Sequence, residues 1–402
     1  MMKIKFLKIS VIAIGLISGI ARGQMQENYK HLTEQDAVKL ALSKSVMLKK
    51  SKLAIDKSNT EILGAIALNP ISIQYQDVGV LPGLNEKELS VIQNFGSLLG
   101  HIQNKKAALA LKKLAISNNN LSKKETVRKT KSLYQQWNYL YGLLSLVEEQ
   151  QQNSKEINKI AKQLHSAGEI GGLENDVTEL QFLGVQSEKN RIYKEFTQTE
   201  NELKELLLIN YNIQPTEKFP AKKMIVNNNK DSISELFFSL FNKKNKLAQK
   251  NIAVAKSSYF PEFNAGLVNR KTGSSSSFTG FNIGLNIPIS MWSNKAKTSK
   301  QKIIKEEVSI ENQAAAIAIR NNFNSLQEQI YYLNKELSDI DKTVSTATNF
   351  INKLQLAYKS GEIDAYQYSQ SFDAYFQVMQ NYLSLINNYN QTVIEYEFYK
   401  EN

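Results

Sequence analysis

The tripeptide Gly168-Glu169-Ile170 occurs a second time, unchanged, as Gly361-Glu362-Ile363, 193 residues further along the chain. Another landmark repeats at nearly the same offset, since Asn69-Pro70 corresponds to Phe260-Pro261. Landmarks that recur in a fixed order indicate that one structural unit occurs twice. The sequence therefore predicts an internal duplication, in which each half contains a helix, a pair of short strands and a long helical hairpin.

The residues before each tripeptide predict very long helices. Residues 101–166 contain one glycine and no proline, and residues 294–360 contain neither. At 1.5 Å per residue, a helix of this size extends on the order of 100 Å. The glycine of each tripeptide ends the long helix, and a shorter helix follows it. Each pair is predicted to form a helical hairpin, over 101–210 and 294–399.

Two pairs of strands are predicted, over 70–95 and 260–288. In the last strand Phe281, Ile283 and Leu285 alternate with polar or small residues. A period of two gives a strand one apolar and one polar face. The pattern is typical both of a soluble, half-buried sheet and of a membrane barrel with a wet interior. Four strands are too few to close a barrel, so several chains would have to contribute strands.

The remaining segments complete the two halves. Thr33, followed three residues later by Asp36, predicts the start of a helix that ends before Asn69. A corresponding helix is predicted over 233–258. Prolines and asparagines between the halves predict an irregular connector. The predicted boundaries are 24–210 for the first repeat, 211–232 for the connector and 233–402 for the second repeat.

The N-terminus predicts export. Lys3, Lys5 and Lys8 precede an apolar run over 9–20, and small residues follow before Gln24. This is the pattern of a secretory signal peptide, here residues 1–23. The chain has no cysteine. We therefore expect neither a disulfide framework nor a lipid anchor on an N-terminal cysteine.

Several classes of function are disfavoured. The sequence contains no glycine-rich nucleotide fingerprint and no G-x-S-x-G motif, so an enzyme is not expected. The three histidines, His31, His101 and His165, are far apart, and we predict no metal site and no cofactor. The net charge is +12, but no cluster combines basic and aromatic residues as nucleic-acid binding requires.

Four motifs, in order along the chain, resemble the TolC-type outer-membrane efflux protein family, also called outer-membrane factors. They are the early helix at 32–42, the strand entry at 255–263, the strand exit at 284–291 and the helix end at 357–362. The resemblance extends from Leu32 to Tyr399. The segment 389–397 is also similar to the heavy-metal branch of the family, but metal and drug export both stay open.

The resemblance implies a mainly helical fold with a small transmembrane β part. Each protomer would contribute four strands, so that a homotrimer forms one 12-stranded barrel in the outer membrane lipid of a Gram-negative bacterium. The long helices would form a tunnel across the periplasm. A periplasmic adaptor and an inner-membrane RND-type pump would be the partners, and the chain would be a passive conduit.

The resemblance also implies site residues. Docking of the adaptor would involve the helical tips, at Gly168, Glu169, Ile170, Gly361, Glu362 and Ile363. Simple capping of a helix end would also explain these glycines. Acidic candidates at the tunnel entrance are Glu174, Asp176, Asp364 and Asp373, although acids also favour a solvated first turn. Gln367 and Gln370 stand where some members carry constricting aspartates.

Four polar residues of the strands are predicted to face the lumen of the barrel: Gln74, Gln76, Asn282 and Asn286. The alternative at these positions is the solvent-facing side of an ordinary sheet. The alternative for the whole chain is a secreted coiled-coil structural or tethering protein. That interpretation explains the long helices, but it does not explain alternating strands at equivalent places in both halves.

Overall fold

The computed structural model describes residues 30–81, 84–216 and 232–401. The predicted signal peptide lies outside these residues. The helices are α1 (Glu34–Lys44), α2 (Val46–Gly64), α3 (Leu98–Ser166), α4 (Gly172–Leu207), α5 (Glu235–Ser257), α6 (Met291–Lys359) and α7 (Ala365–Tyr399). The strands are β1 (Lys30–Leu32), β2 (Ile71–Leu81), β3 (Leu84–Gly96), β4 (Ile213–Pro215), β5 (Glu262–Thr272) and β6 (Phe278–Asn286).

The two long helices have the same length. Both α3 and α6 contain 69 residues, so each extends on the order of 100 Å. Each begins three residues before its predicted start. Within the described ranges, no helix is apolar over enough consecutive residues to cross a membrane.

The first predicted helix is divided in two, so the prediction of one continuous helix was wrong. Thr33 does cap α1, because its Oγ1 accepts a hydrogen bond from the backbone N–H of Asp36 at 3.1 Å. The interruption is at Ser45, whose backbone is not helical (φ −48°, ψ 125°). Its side chain accepts from the backbone N–H of Leu48 and so caps α2. Serine competes with the helical backbone for hydrogen bonds in this way.

The predicted connector contains a strand that the sequence pattern did not indicate. β4 pairs in parallel with β1, although each strand has three residues. The pair covers a core cluster between the middle of α3 and the C-terminal end of α4, where Tyr134, Trp137, Leu203 and Leu207 are buried. The Tyr134 hydroxyl donates to the Leu32 carbonyl at 2.9 Å. A strand of three residues is too short to show a periodicity in the sequence. The formation of this pair therefore depends on side-chain packing against the core cluster.

The elements form four columns that run from the sheet to the helical tips. The sheet order is β2-β3-β5-β6, antiparallel throughout. Beside the sheet, α2 packs on α3, α3 on α5, and α5 on α6. Toward the tips, α4 packs on α3, α3 on α7, and α7 on α6. The columns are therefore β2/α2/α4, β3/α3, β5/α5/α7 and β6/α6.

This arrangement is a wall one element thick with two long edges. In the described sheet, β2 and β6 each pair on one side only. The extensive helix contacts among the described residues likewise leave one side of the first and fourth columns without a neighbouring column. The core lies between the columns, as clusters on α3, α6 and α7 rather than in a closed interior.

Candidate functional site

The two predicted tips have the same backbone geometry. Gly168 and Gly361 adopt left-handed conformations, with φ of +79° and +77°. The next backbone N–H, of Glu169 or Glu362, donates across the end of the helix to Leu164 O or Ala357 O, in both cases at 2.9 Å. This is the pattern of the Schellman motif, which favours glycine at the left-handed position. The repeated tripeptide thus encodes a helix end, and both glycines are exposed.

The tips differ in how the following residues are held. Ile363 packs against a buried cluster that includes Ile157 of α3 and Tyr368 of α7. Asp364 caps α7, because its Oδ1 accepts from the Gln367 backbone N–H at 2.7 Å. At the first tip α4 has no side-chain cap. Ile170 is half-buried there, and its carbonyl oxygen lies 3.2 Å from a ring nitrogen of His165.

The four acidic candidates lie in three different environments. Glu174 and Asp176 are exposed at the start of α4, and Asp364 acts as a helix cap. Asp373 is half-buried between α7 and α3, where its Oδ1 accepts from the Gln150 side chain at 3.0 Å. Burial raises the pKa of Asp373, and the hydrogen bond from Gln150 opposes this shift. No group of three or more acidic or histidine side chains in the described ranges could hold a metal ion.

Gln367 and Gln370 both lie in the first two turns of α7. Gln367 is exposed in the first turn of α7, and Gln370 donates to the Tyr366 hydroxyl at 2.6 Å. Between them, Ser369 faces the other hairpin. Its hydroxyl donates to Gln181 of α4 at 2.7 Å. This bond directly connects the first and second hairpins near the tips.

A row of polar contacts joins α3 to α7, and none of the sequence motifs predicted it. The joined pairs include Arg128–Glu395 (2.6 Å), Lys131–Glu397 (2.7 Å), Gln136–Asn387 (2.9 Å), Asn390–Gln135 (3.1 Å) and Asn153–Tyr368 (3.4 Å). Hydrogen bonds between buried amides require defined partners, because an unpaired amide costs free energy in the interior. The signal was available in the sequence as polar residues at helical spacing along two helices that must pack.

All four lumen candidates lie on one face of the sheet. The register places Gln74 in one cross-strand row with Ser90, Val268 and Gly280, and Asn282 lies in the adjacent row on this face. The same face carries Gln76 and Asn286. It also carries an ion cluster that was not predicted, in which Arg270 lies 2.8 Å from Glu86 and 2.6 Å from Glu88.

The opposite face of the sheet is apolar and uncovered in the single chain. One cross-strand row consists of Ile73, Val91, Leu267 and Phe281. The two ends of the row, Ile73 and Phe281, are 71% and 81% exposed. A contiguous apolar surface of this kind marks a site of contact with another protein or with lipid.

No family model and no curated protein matches the sequence. Solved structures do match the fold. The Campylobacter jejuni CmeC outer membrane channel has a TM-score of 0.74 at 12% identity, over 91% of this chain and 84% of that one. The chain has the fold of an outer-membrane channel. The Neisseria gonorrhoeae MtrE channel, in its open state, gives 0.68 at 14% identity, with coverages of 91% and 88%. A third match is CusC, whose structures concern the conformational changes that accompany folding and transmembrane channel formation. Its TM-score is 0.71 at 14% identity, over 94% of both chains.

The match to outer-membrane channel structures confirms the predicted fold class of the single chain, which is mainly helical and has a four-stranded sheet. The identities are low and nearly equal, so they do not favour one of these channels over another. Closure of the barrel is a property of an assembly, because a single copy has two open edges.

Proposed function

We propose that this chain is the outer-membrane component of a tripartite efflux system. It would act as a homotrimer and as a passive conduit rather than an enzyme. Its sheet would lie in the outer membrane of a Gram-negative bacterium, and its helices would extend into the periplasm. One observation carries the proposal: a wall four columns wide is open along both edges, and its sheet is apolar on one face only.

The open edges argue for closure by further copies. Backbone groups at the free edges of β2 and β6 would have no partner in lipid, which is why only closed sheets cross membranes. Two copies would supply eight strands, and a barrel of about eight strands has an interior that side chains fill. Three copies would supply 12 strands and leave a lumen. The polar face with Gln74, Gln76, Asn282 and Asn286 would line it.

The apolar face would then contact lipid. At the helical end of the sheet, Trp292 is 75% exposed, and Ile289 beside it is exposed as well. Tryptophan is enriched where a membrane barrel meets the interface. The placement of Trp292 agrees with a membrane boundary at the junction of β6 and α6.

The tips would dock the periplasmic adaptor, which links the channel to an inner-membrane RND-type pump. Both tips expose their glycine and glutamate, and both have a large exposed apolar residue nearby, Leu173 on α4 and Leu356 on α6. Such residues are suited to a protein partner. The acidic residues Glu174 and Asp176 would face the entrance at the same end.

The first experiment is the mass of the membrane-extracted protein in detergent, without boiling, together with circular dichroism. The proposal expects three times the mass of the mature chain and a strand signal. A soluble monomer or dimer with a purely helical signal would refute it and favour the tethering protein.

Orientation can be tested separately, because the chain contains no cysteine. Ser275→Cys, in the β5–β6 turn, should react with a membrane-impermeant label on intact cells. Glu362→Cys, at the second tip, should react only after the outer membrane is permeabilised. Equal labelling of both would contradict the proposed topology.

The substrate class is tested by deletion of the gene and growth on metal salts and drugs. Loss of resistance to metal cations alone would place the chain in a metal system, and loss of resistance to drugs alone would place it in a drug system. Restoration by the intact gene is the control.

A further inference from the structure

Two adjoining grooves show which side of the helical wall continues the polar face of the sheet. The first groove is lined by Glu262 and Asn286 from that face of the sheet, and by Asn104 of α3 and Lys297 of α6. The second groove continues along α3 from Asn104 and is also lined by Val254 of α5. We call the opposite side of the helices the outer side, and it continues the apolar face of the sheet.

Lys295 lies on the outer side of α6. The side of α6 that contacts the end of α5 is known from Asn294, whose amide donates to Ser258 O at 2.9 Å. Around the helix, Lys295 is about 100° from Asn294 in one direction and Lys297 about 60° in the other. Because Lys297 lines the polar groove, Lys295 points to the outer side, where it is exposed. Trp292 is about 60° from Lys295 and shares this side.

The two middle helices each place a lysine on the outer side as well. On α3, Lys106 is two residues after Asn104 and Ile102 is two residues before it, so both are about 160° from the polar groove. On α5, Lys256 is two residues after Val254 and has the same relation to the groove. Both lysines are exposed. Three adjacent helices therefore present a lysine on one side of the wall.

The three lysines lie close to the sheet. Lys256 is one residue before the last residue of α5, Lys295 is four residues after the first of α6, and Lys106 is eight residues after the first of α3. At 1.5 Å per residue, each is within about 12 Å of the helix end beside the sheet. Nearer the sheet, Ile102 is 48% and Trp292 75% exposed. Lysine in this position lays its stem on apolar surface and keeps its ammonium in water.

Lysines outnumber acidic residues at this level of the wall. Among the described residues, no ion pair joins Lys106, Lys256 or Lys295 to a carboxylate. Within eight residues of their ends beside the sheet, α2, α3, α5 and α6 carry two acidic residues, Asp56 and Glu61. The same segments carry seven lysines, which are Lys57, Lys105, Lys106, Lys250, Lys256, Lys295 and Lys297. A negatively charged partner therefore suits this level of the wall.

We propose that Lys106, Lys256 and Lys295 form a lysine collar that binds the phosphate groups of anionic phospholipids, in the leaflet on the helical side of the membrane. The inference rests on the proposed function and goes beyond it, because it assigns a lipid class and the residues that select it. The collar is continuous with the apolar face of the sheet. Lys295 lies about 4.5 Å beyond Trp292 along α6, which is headgroup depth when Trp292 marks the membrane boundary.

Trp292 stands beside the collar, so its fluorescence reports which lipid lies there. The intact protein is reconstituted in phosphatidylcholine vesicles in which a fixed fraction of the lipid is brominated, either as phosphatidylglycerol or as phosphatidylcholine. Trp137 is fully buried and adds a constant background. We expect brominated phosphatidylglycerol to quench the fluorescence more strongly. Its relative binding constant should be about fivefold higher for a lipid that contacts one lysine, and high salt should remove the difference.

Lys295→Gln should lower the preference for the anionic lipid, and the triple variant with Lys106→Gln and Lys256→Gln should abolish it. Lys297→Gln is the matched control, because it removes the same charge two residues away on the opposite side of α6, and it should leave the preference unchanged. An equal effect of Lys295→Gln and Lys297→Gln would refute the collar. So would equal quenching of the parent protein by both lipids, and the channel would then stand. If neither lipid quenches Trp292, the proposed function fails as well.

Discussion

Substitution of the tip glycines should weaken both helix ends by the same amount. At Gly168 and Gly361 the backbone is left-handed, and an added Cβ would meet no heavy atom within 4 Å. Gly168→Ala and Gly361→Ala therefore introduce backbone strain without a steric clash. A left-handed residue with a Cβ costs about 1–2 kcal/mol, which corresponds to an increase of about 5- to 30-fold in local opening.

Hydrogen exchange measures this opening directly. The Glu169 and Glu362 amides are protected by their bonds to Leu164 O and Ala357 O. We expect each amide to exchange about 5- to 30-fold faster in the corresponding alanine variant. Asparagine at the same position should have a smaller effect, because it tolerates the left-handed conformation.

Gly142→Ala is the matched control. Gly142 lies inside α3, and an added Cβ would also meet nothing within 4 Å. Alanine there should stabilise the helix by about 0.5–1 kcal/mol and leave exchange at the tips unchanged. Exchange at Glu362 within twofold of the parent protein in Gly361→Ala would refute the reasoning. A response at only one tip would refute the equivalence of the two ends.

Three further predictions concern the contact between α3 and α7, the sheet and the membrane boundary. Asp373→Asn should stabilise the protein at pH 7 by less than about 1 kcal/mol, because burial raises the aspartate pKa and ionisation is disfavoured in the fold. The gain in stability of the asparagine variant should vanish at a pH below the pKa of the aspartate in the unfolded state. It should grow as the pH rises through the pKa of the aspartate in the folded state, and thermal unfolding measured against pH will show this. Arg270→Ala should make reconstituted channels more cation-selective by reversal potential, because two glutamates lose their counter-ion; Lys271→Ala, on the opposite face, should not. Fluorescence of Trp292 should be quenched by brominated lipid and that of Trp137, which is fully buried, should not, as the variants with one tryptophan each will show.

Much of the fold could be predicted because its signals are local. Alternation in β6 requires only neighbouring residues, and the glycines at 168 and 361 end helices through their own backbone freedom. The break at Ser45 could not be predicted in this way. A serine after a helical run is compatible with a continuous helix. The helix is interrupted because the Ser45 hydroxyl accepts a hydrogen bond from the Leu48 backbone N–H and so starts a new helix. The β1–β4 pair depends on packing against Trp137, more than 70 residues away from Ile213.

In the candidate site, too, the local features could be predicted and the features that depend on tertiary contacts could not. The sequence indicated both tips and the polar face of the sheet, because each is a repeated word or an alternating pattern. It did not distinguish Asp364, which caps a helix, from Asp373, which is half-buried against Gln150. These roles depend on which helix lies opposite. The Glu86–Arg270–Glu88 cluster likewise arises from the register of β3 against β5, which the sequence alone does not fix.

The four columns differ in mechanical continuity. α3 and α6 are unbroken beams from the sheet to the tips, whereas the first and third columns are jointed between α2 and α4 and between α5 and α7. Both joints rest on the middle of α3, where Tyr134 bonds Leu32 O and Lys124 bonds Lys400 O. An interrupted beam transmits little torque across its joint. Motion of α4 and α7 at the tips therefore reaches the strands only through the packing of these helices on α3 and α6.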